Sequence, residues 1–263
     1  MMAFNWFPWS AKRHDSERGL VVSFPKSGRT WVRVMLDSVT CKLRYTHDGS
    51  DHSLGTHFND LVPCQVDGTD RPLLFLHRDP RDTAVSGFFQ RSLRISEGYE
   101  GSISDFVRDP HFGLEKILRF NLAWFSYCLD QESACSIRVL SYEALRRDPE
   151  RGLSRLCSFL VPERKVGERQ IQKVIAQSSF ERMQAKEKVG AFAKKYSKAL
   201  TPGDSSNVES FKVRRGKVGG FTDYFTGDDL SFADQLMARY DYNQALQKAV
   251  SYTHLTLPTI LLV

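Results

Sequence analysis

The sequence predicts an α/β fold, a single domain with a central parallel sheet flanked by helices. Three observations predict it. Short, continuously apolar runs at residues 20–24 and 72–77 read as strands buried on both faces. Segments with a helical apolar period separate the strand-like runs, and the two kinds of element alternate along the chain.

The first strand, Leu20-Val21-Val22-Ser23-Phe24, is closed by Pro25, which cannot continue a ladder. From Gly28 the apolar residues Trp31, Val34, Met35 and Val39 recur on one helical face. Residues 42–46 predict a second strand and residues 72–77 a third. Asp79-Pro80 opens the next helix, with Pro in its first turn. Residues 117–129 carry a helical apolar face, residues 136–140 predict a fourth strand, and helical patterns fill most of 143–184 and 229–248. Residues 189–207 lack a period and contain Thr201-Pro202-Gly203-Asp204-Ser205-Ser206, which predicts a loop long enough to cover a site. The domain is predicted over residues 18–248. Residues 249–263, without Asp, Glu, Lys or Arg, are set apart as an uncertain tail that need not be native.

At 263 residues, 41% hydrophobic and 26% charged, the composition is that of a globular chain and excludes disorder, collagen and a long coiled coil. No apolar run reaches the length of a membrane span, and the first residues lack the order of a secretion signal. Cys41, Cys64, Cys128, Cys135 and Cys157 are scattered without C-x-x-C spacing, which predicts a reducing, cytoplasmic location. The net charge is +6, and residues 186–217, with nine basic against three acidic side chains, carry all of it. So local an excess predicts a polyanionic ligand and not nucleic acid.

Two segments carry chemistry. Pro25-Lys26-Ser27-Gly28-Arg29-Thr30-Trp31 joins the first strand to the first helix. Helix N–H groups, the positive end of the helix dipole and the Lys26 charge make an anion site there. It is not a Walker A sequence, because the Lys precedes the only Gly. The plainer reading is a capped helix after a turn. Arg78-Asp79-Pro80-Arg81-Asp82-Thr83-Ala84-Val85-Ser86 follows the third strand at its carboxyl end, where open α/β sheets bind ligands. Arg78 suits a phosphate through its planar fork. The competing reading is a surface salt-bridge cluster.

These segments resemble the signatures of the sulfotransferases that use 3′-phosphoadenosine 5′-phosphosulfate (PAPS). Pro25 to Trp31 is similar to Pro-Lys-Ser-Gly-Thr-Thr-Trp with Arg29 in place of a Thr, and Arg78 to Ser86 keeps the spacing of the second signature. Ser178 to Met183 resembles the adenine-contacting segment. Val213 to Phe221 resembles the late Arg-Lys-Gly-x-x-Gly-Asp-Trp loop, with Gly220-Phe221 in place of Asp-Trp. Tyr142 matches a Tyr-Glu-Asp motif after the fourth strand.

The resemblance implies a P-loop-like sulfotransferase fold that binds PAPS as sulfuryl donor and needs no metal. It implies that Lys26, Ser27, Gly28, Arg29 and Thr30 hold the 5′-phosphosulfate and that Arg78, Ser86, Arg214, Arg215 and Gly216 hold the 3′-phosphate. Trp31, Tyr142 and Phe180 would flank the adenine, against the simpler expectation of core packing for each. Lys26 would stabilise the leaving group, and a histidine would act as base. His47, His52 and His57 lie between the second and third strands. His47 is preferred, since Thr46-His47 directly follows a strand and sits at a carboxyl edge. Thr56-His57 is the rival, Asp48 is the fallback carboxylate, and His47 could instead merely order the Asp48-Gly49 turn. The acceptor is predicted to be a small molecule, lipid or carbohydrate, in a pocket near residues 96–112 with Ile95, Tyr99, Ile103, Phe106 and Phe112. Oligomeric state is left open. A P-loop kinase and a non-catalytic nucleotide- or sulfated-ligand-binding module are the alternatives.

Overall fold

The computed structural model describes residues 19–39, 43–50, 55–66, 71–96, 98–130, 137–196 and 200–255. Among them the strands are β1 (Leu20–Val22), β2 (Arg44–Thr46), β3 (Leu73–His77) and β4 (Ile137–Ser141). The helices are α1 (Arg29–Leu36), α2 (Pro80–Arg94), α3 (Ile103–Arg108), α4 (Leu114–Asp130), α5 (Tyr142–Arg147) and α6 (Pro149–Leu160). They continue with α7 (Glu168–Gln177), α8 (Phe180–Lys188), α9 (Ala193–Tyr196), α10 (Gly227–Arg239) and α11 (Tyr242–Leu255).

The strands form one parallel sheet in the order β2-β1-β3-β4, with Val22 opposite Thr46 on one side and Phe75 on the other. Every residue of β1 and β3 is buried, as continuous apolar runs require. Their alternation sorts the core into layers. Leu20, Val22, Leu73 and Phe75 pack under α2, α4, α10 and α11, while Val21, Leu74 and Leu76 pack under α1, α6 and α7. The chain leaves β1 for β2 on one side and then crosses to β3 on the other. The crevice between β1 and β3 is therefore the switch point at which such sheets bind ligands.

Two expectations are corrected, and the last helix is longer than expected. The helix expected over 229–248 is two helices, α10 and α11, broken at Asp241, whose φ of 48° is the left-handed conformation that an Asp tolerates after a helix end. The second helix runs on through Val250 to Leu255 with Ala249 fully buried, past the residue at which the tail was expected to begin. The described part of segment 189–207 is anchored by packing. Phe192, Tyr196 and Leu200 are buried with Val34 and Met183 in a small core of their own, and α9 forms within it.

The start of α10 shows how a charged group is held inside. Asp229 is fully buried in a capping box with Thr226, accepts 2.7 Å from Ser104 Oγ and pairs with Arg108. Burial alone would raise its carboxyl. Arg108 and the hydrogen bonds from Thr226 and Ser104 overcome this and bring it down to about 2. A depressed carboxyl stabilises the fold above its unfolded value and ceases to do so as pH falls through its folded value. Asp229→Asn is expected to destabilise the protein by about 1.5–3 kcal/mol at neutral pH. In denaturant titrations the difference from wild type should vanish as pH falls from 3.8 toward 2.

Candidate active site at the sheet switch point

The carboxyl ends of β1 and β3 open into a cavity of about 320 Å³. The turn between β1 and α1 forms one wall with Lys26, Gly28, Arg29 and Thr30. Lys26 has φ 73° and Gly28 φ 92°; the left-handed conformation is unusual for a Lys and marks backbone strain at this turn. No side chain caps α1 at Gly28, the arrangement that leaves helix N–H groups to an anion. Of the residues expected to hold the donor, Ser27 is the exception. It is 1% exposed and does not line the cavity, because the turn folds it beneath Lys26 and Gly28.

Helix α2 forms the second wall, with Asp82, Ser86 and Gln90 on one face at four-residue spacing. Gln90 Oε1 accepts from Lys26 Nζ at 3.1 Å and so joins the two walls. Arg78 lines the cavity, donates to the Lys217 carbonyl at 2.9 Å, lies 3.2 Å from Asp82 and covers the Tyr142 ring at 4.6 Å. The expected salt bridges do form, Arg78 with Asp82 and Arg81 with Asp79 at 2.8 Å. Arg78 nevertheless remains on the cavity wall.

The third wall is the late segment with Lys212, Arg214, Arg215, Gly216 and Lys217. Buried carboxylates hold it. Glu187, fully buried, accepts from the backbone N–H groups of Lys212 at 2.6 Å and Val213 at 2.9 Å. Asp82 accepts from Gly219 and Phe221, each at 2.9 Å, so Phe221 is drawn inward under Arg81. Arg214 pairs with Glu209 at 2.7 Å and Arg215 with Asp223 at 2.8 Å. The basic half of the segment around 186–195 faces elsewhere, with Lys188, Lys194 and Lys195 exposed.

Aromatic rings complete the cavity. Trp31 meets Tyr142 edge-on at 5.9 Å and donates from Nε1 to the Ser178 carbonyl at 2.9 Å, while Phe180 faces Gly216. Both glycines sit hard against a ring: a Cβ on Gly28 would lie 2.4 Å from Tyr142, and one on Gly216 2.7 Å from Phe180. The expected acceptor-pocket aromatics are spent on packing. Tyr99 meets buried Phe106 edge-on at 5.0 Å and Phe112 stacks on it at 6.2 Å, and only Ile95 of that set lines the cavity.

The Lys26 ammonium is held well below its usual value, first by burial and then by repulsion from Lys212, Arg94 and Arg214, with Glu187 opposing them. A phosphate or sulfate brought among these cations reverses that repulsion. The donor set thus fits a nucleotide with anionic groups: cations on the first turn, at Arg78 and on the late segment, an uncapped helix start, and rings beside them. Among the described residues no cluster of three or more His, Cys, Asp or Glu side chains is placed to hold a metal ion.

His47 lines the cavity, and its ring is fixed at both nitrogens. Nδ1 lies 2.9 Å from the Ser23 carbonyl, which can only accept, so Nδ1 carries the proton. Nε2 lies 2.6 Å from Arg29 Nη2, which can only donate, so Nε2 presents its lone pair. The parallel pairing of β1 and β2 places Ser23 beside His47. His57 does not line the cavity; it caps the turn Phe58–Asp60, accepting from Asn59 N at 3.1 Å. His52 lies outside the described residues. Asp48 is 7% exposed and accepts from Gln65 N at 3.1 Å, Trp124 Nε1 at 3.0 Å and Cys64 N, a structural engagement that removes it as the fallback base.

Several wall residues were not anticipated, among them Gln90, Lys212, Arg146 and Tyr224. Gln90 was legible as the next helical turn beyond Asp82 and Ser86. Lys212 stood in the basic segment with no motif to single it out, and Arg146, which lies 5.5 Å over Trp31, carried no signal.

A parallel α/β sheet with cationic loops at the carboxyl ends of two strands places a ligand site at the switch point, and the reaction class comes from the family. Residues 53–249 match the family model described as Sulfotransferase domain. The chain belongs to the sulfotransferase family, whose members use PAPS as sulfuryl donor. Cytosolic sulfotransferase 16 of Arabidopsis thaliana is 24% identical, with 86% of this chain and 78% of that protein aligned. The 3-alpha-hydroxysteroid sulfotransferase of Cavia porcellus is 26% identical over 80% of this chain and 78% of its own. Among solved structures, mouse sulfotransferase SULT7A1 complexed with PAP superimposes with a TM-score of 0.66 at 18% identity, covering 90% of this chain and 88% of that one.

Gly28→Ala tests the close approach of the first turn. The added Cβ must displace the Tyr142 ring and hold a left-handed conformation. Calorimetry is expected to show adenosine 3′,5′-bisphosphate (PAP) binding weakened at least tenfold, while the circular dichroism spectrum stays native.

Proposed function

We propose that this cavity transfers the sulfuryl group of PAPS to a hydroxyl of a small organic acceptor, with His47 as general base and Lys26 at the leaving oxygen. The observation that carries the reading is the His47 ring, oriented by Ser23 so that its Nε2 lone pair faces the same cavity as Lys26. Lys26, Gly28, Arg29 and Thr30 would take the 5′-phosphosulfate, Arg78, Ser86, Arg214, Arg215 and Gly216 the 3′-phosphate, and Trp31, Tyr142 and Phe180 the adenine. Relatives named for hydroxysteroids, and a neighbour solved with retinol and PAP, support a hydroxyl on a small apolar molecule. No helix among the described residues is long and apolar enough to cross a membrane. Relatives named as cytosolic sulfotransferases support a cytoplasmic location.

The chemistry is an in-line displacement at sulfur. The acceptor oxygen forms its bond to sulfur as the bond from sulfur to the bridging oxygen breaks. His47 Nε2 takes the hydroxyl proton, and PAP departs with the electron pair. Lys26 matters most at the end of this motion, since charge grows on the bridging oxygen only as the bond breaks. Incubation with labelled PAPS and a panel of hydroxyl acceptors, with separation of the sulfated products, tests the activity itself.

With any acceptor so found, Lys26→Met should lower kcat by roughly 10²-fold or more, with a smaller effect on PAP affinity. A raised KM at unchanged kcat would sink the assignment. The donor's anions would relieve the repulsion from Lys212, Arg94 and Arg214 that holds the Lys26 ammonium below its usual value.

His47→Ala should abolish turnover and leave PAP binding intact, and His57→Ala should retain most of the rate. The opposite pattern transfers the role to His57.

A further inference from the structure

Arg29 stands where the resembled signature has a Thr, and its side chain reaches the one atom on which the proposed chemistry depends. Arg29 Nη2 lies 2.6 Å from His47 Nε2, while the other ring nitrogen is committed to the Ser23 carbonyl. An imidazole nitrogen has a single lone pair. While Arg29 donates into it, His47 cannot accept a proton from an acceptor hydroxyl.

We propose that Arg29 is a donor-sensitive latch on the base: it occupies His47 Nε2 until the phosphosulfate draws the guanidinium away. The inference rests on the reading of His47 as base. The pull comes from the relative strength of the two bonds. A guanidinium gains more from an anionic oxygen, which it can grip with two N–H groups, than from one neutral imidazole nitrogen. The anion site is within its reach, because Lys26, Gly28 and Thr30 line the same wall of the same cavity. His47 itself does not need to move. Its backbone carbonyl accepts from Ser50 N at 3.0 Å and Ser50 Oγ at 2.6 Å, and the neighbouring Asp48 is tied to Trp124 and Gln65. The imidazole is thus held in place, and the latch requires only that the Arg29 side chain shift toward the anion. The consequence is an order of events in which the base becomes competent only after the donor is in place.

Chemical labelling reads the lone pair directly and needs no acceptor. Diethyl pyrocarbonate acylates an unoccupied, unprotonated imidazole nitrogen, and the modified His47 peptide is quantified by mass spectrometry. In wild type the labelling of His47 should be slow and should rise several-fold when PAP is added, since PAP supplies the 5′-phosphate without the sulfuryl group. In Arg29→Thr labelling should be fast from the start, before any PAP is added, and should not accelerate further at PAP concentrations that calorimetry shows to saturate the variant, whose affinity is expected to be lower because Arg29 is itself a proposed 5′-phosphate contact; Arg29→Ser serves the same comparison if the first variant folds poorly. A wild-type rate that PAP leaves unchanged or lowers overturns the latch, as does a variant that labels as slowly as wild type without PAP. A residue supporting only the fold would not reverse the effect of PAP. The two readings fail differently. Full turnover in His47→Ala overturns the base and the latch's purpose with it. Labelling insensitive to PAP, in a protein that His47→Ala inactivates, overturns the latch alone.

Discussion

The site depends on two buried carboxylates, Asp82 and Glu187, that bind the backbone of the late segment from below. Eight cationic side chains line the cavity against one carboxylate, an arrangement that opposes its own assembly. Asp82, 3% exposed, takes the N–H groups of Gly219 and Phe221 and the charge of Arg78. Glu187, fully buried, takes the N–H groups of Lys212 and Val213 and pairs with Arg94 at 3.5 Å. A buried carboxylate left without donors is very costly, so each fixes the segment that supplies its donors. The basic loop is thereby fastened over the switch point with its Arg side chains on the cavity wall.

A second constraint is steric. Tyr142 and Phe180 can stand against the β1–α1 turn and the late segment only because Gly28 and Gly216 bring no Cβ there. Both have positive φ, 92° and 61°, so backbone conformation and close approach call for the same residue. Tyr142 then serves three neighbours at once, as a ring under Arg78, an edge partner for Trp31 and a wall for Gly28.

The end of β2 applies similar logic to a single side chain. Asp48 adopts φ 47° directly after His47, and its carboxylate is bound by Trp124, whose ring stacks 5.6 Å from Phe75 in the core. Burial pushes the Asp48 carboxyl up while the donors from Cys64, Gln65 and Trp124 pull against it. The turn that carries His47 is in this way attached to the hydrophobic centre of the molecule, and the ring next to it inherits that rigidity.

Much of this was legible in the residues alone. Apolar runs buried on both faces gave β1 and β3, Pro25 and Asp79-Pro80 marked their ends, and the order of motifs named Lys26, Arg78 and the late arginines, because local pattern and turn chemistry depend on near neighbours. What the residues could not reveal was pairing across the chain. Whether Thr46-His47 or Thr56-His57 faces the cavity depends on β2 lying parallel beside β1, which sets His47 against Ser23 and leaves His57 capping a turn. Burial of Ser27, packing of segment 189–207, use of Tyr99 and Phe112 as core, and division of α10 from α11 are likewise outcomes of competition for the same interior space. Sequence determined which groups were available and the local geometry of the two loops that follow β1 and β3. Tertiary structure decided which groups meet, since a contact such as Arg29 on His47 or Glu187 under Lys212 joins positions whose separation along the chain says nothing of their distance in space.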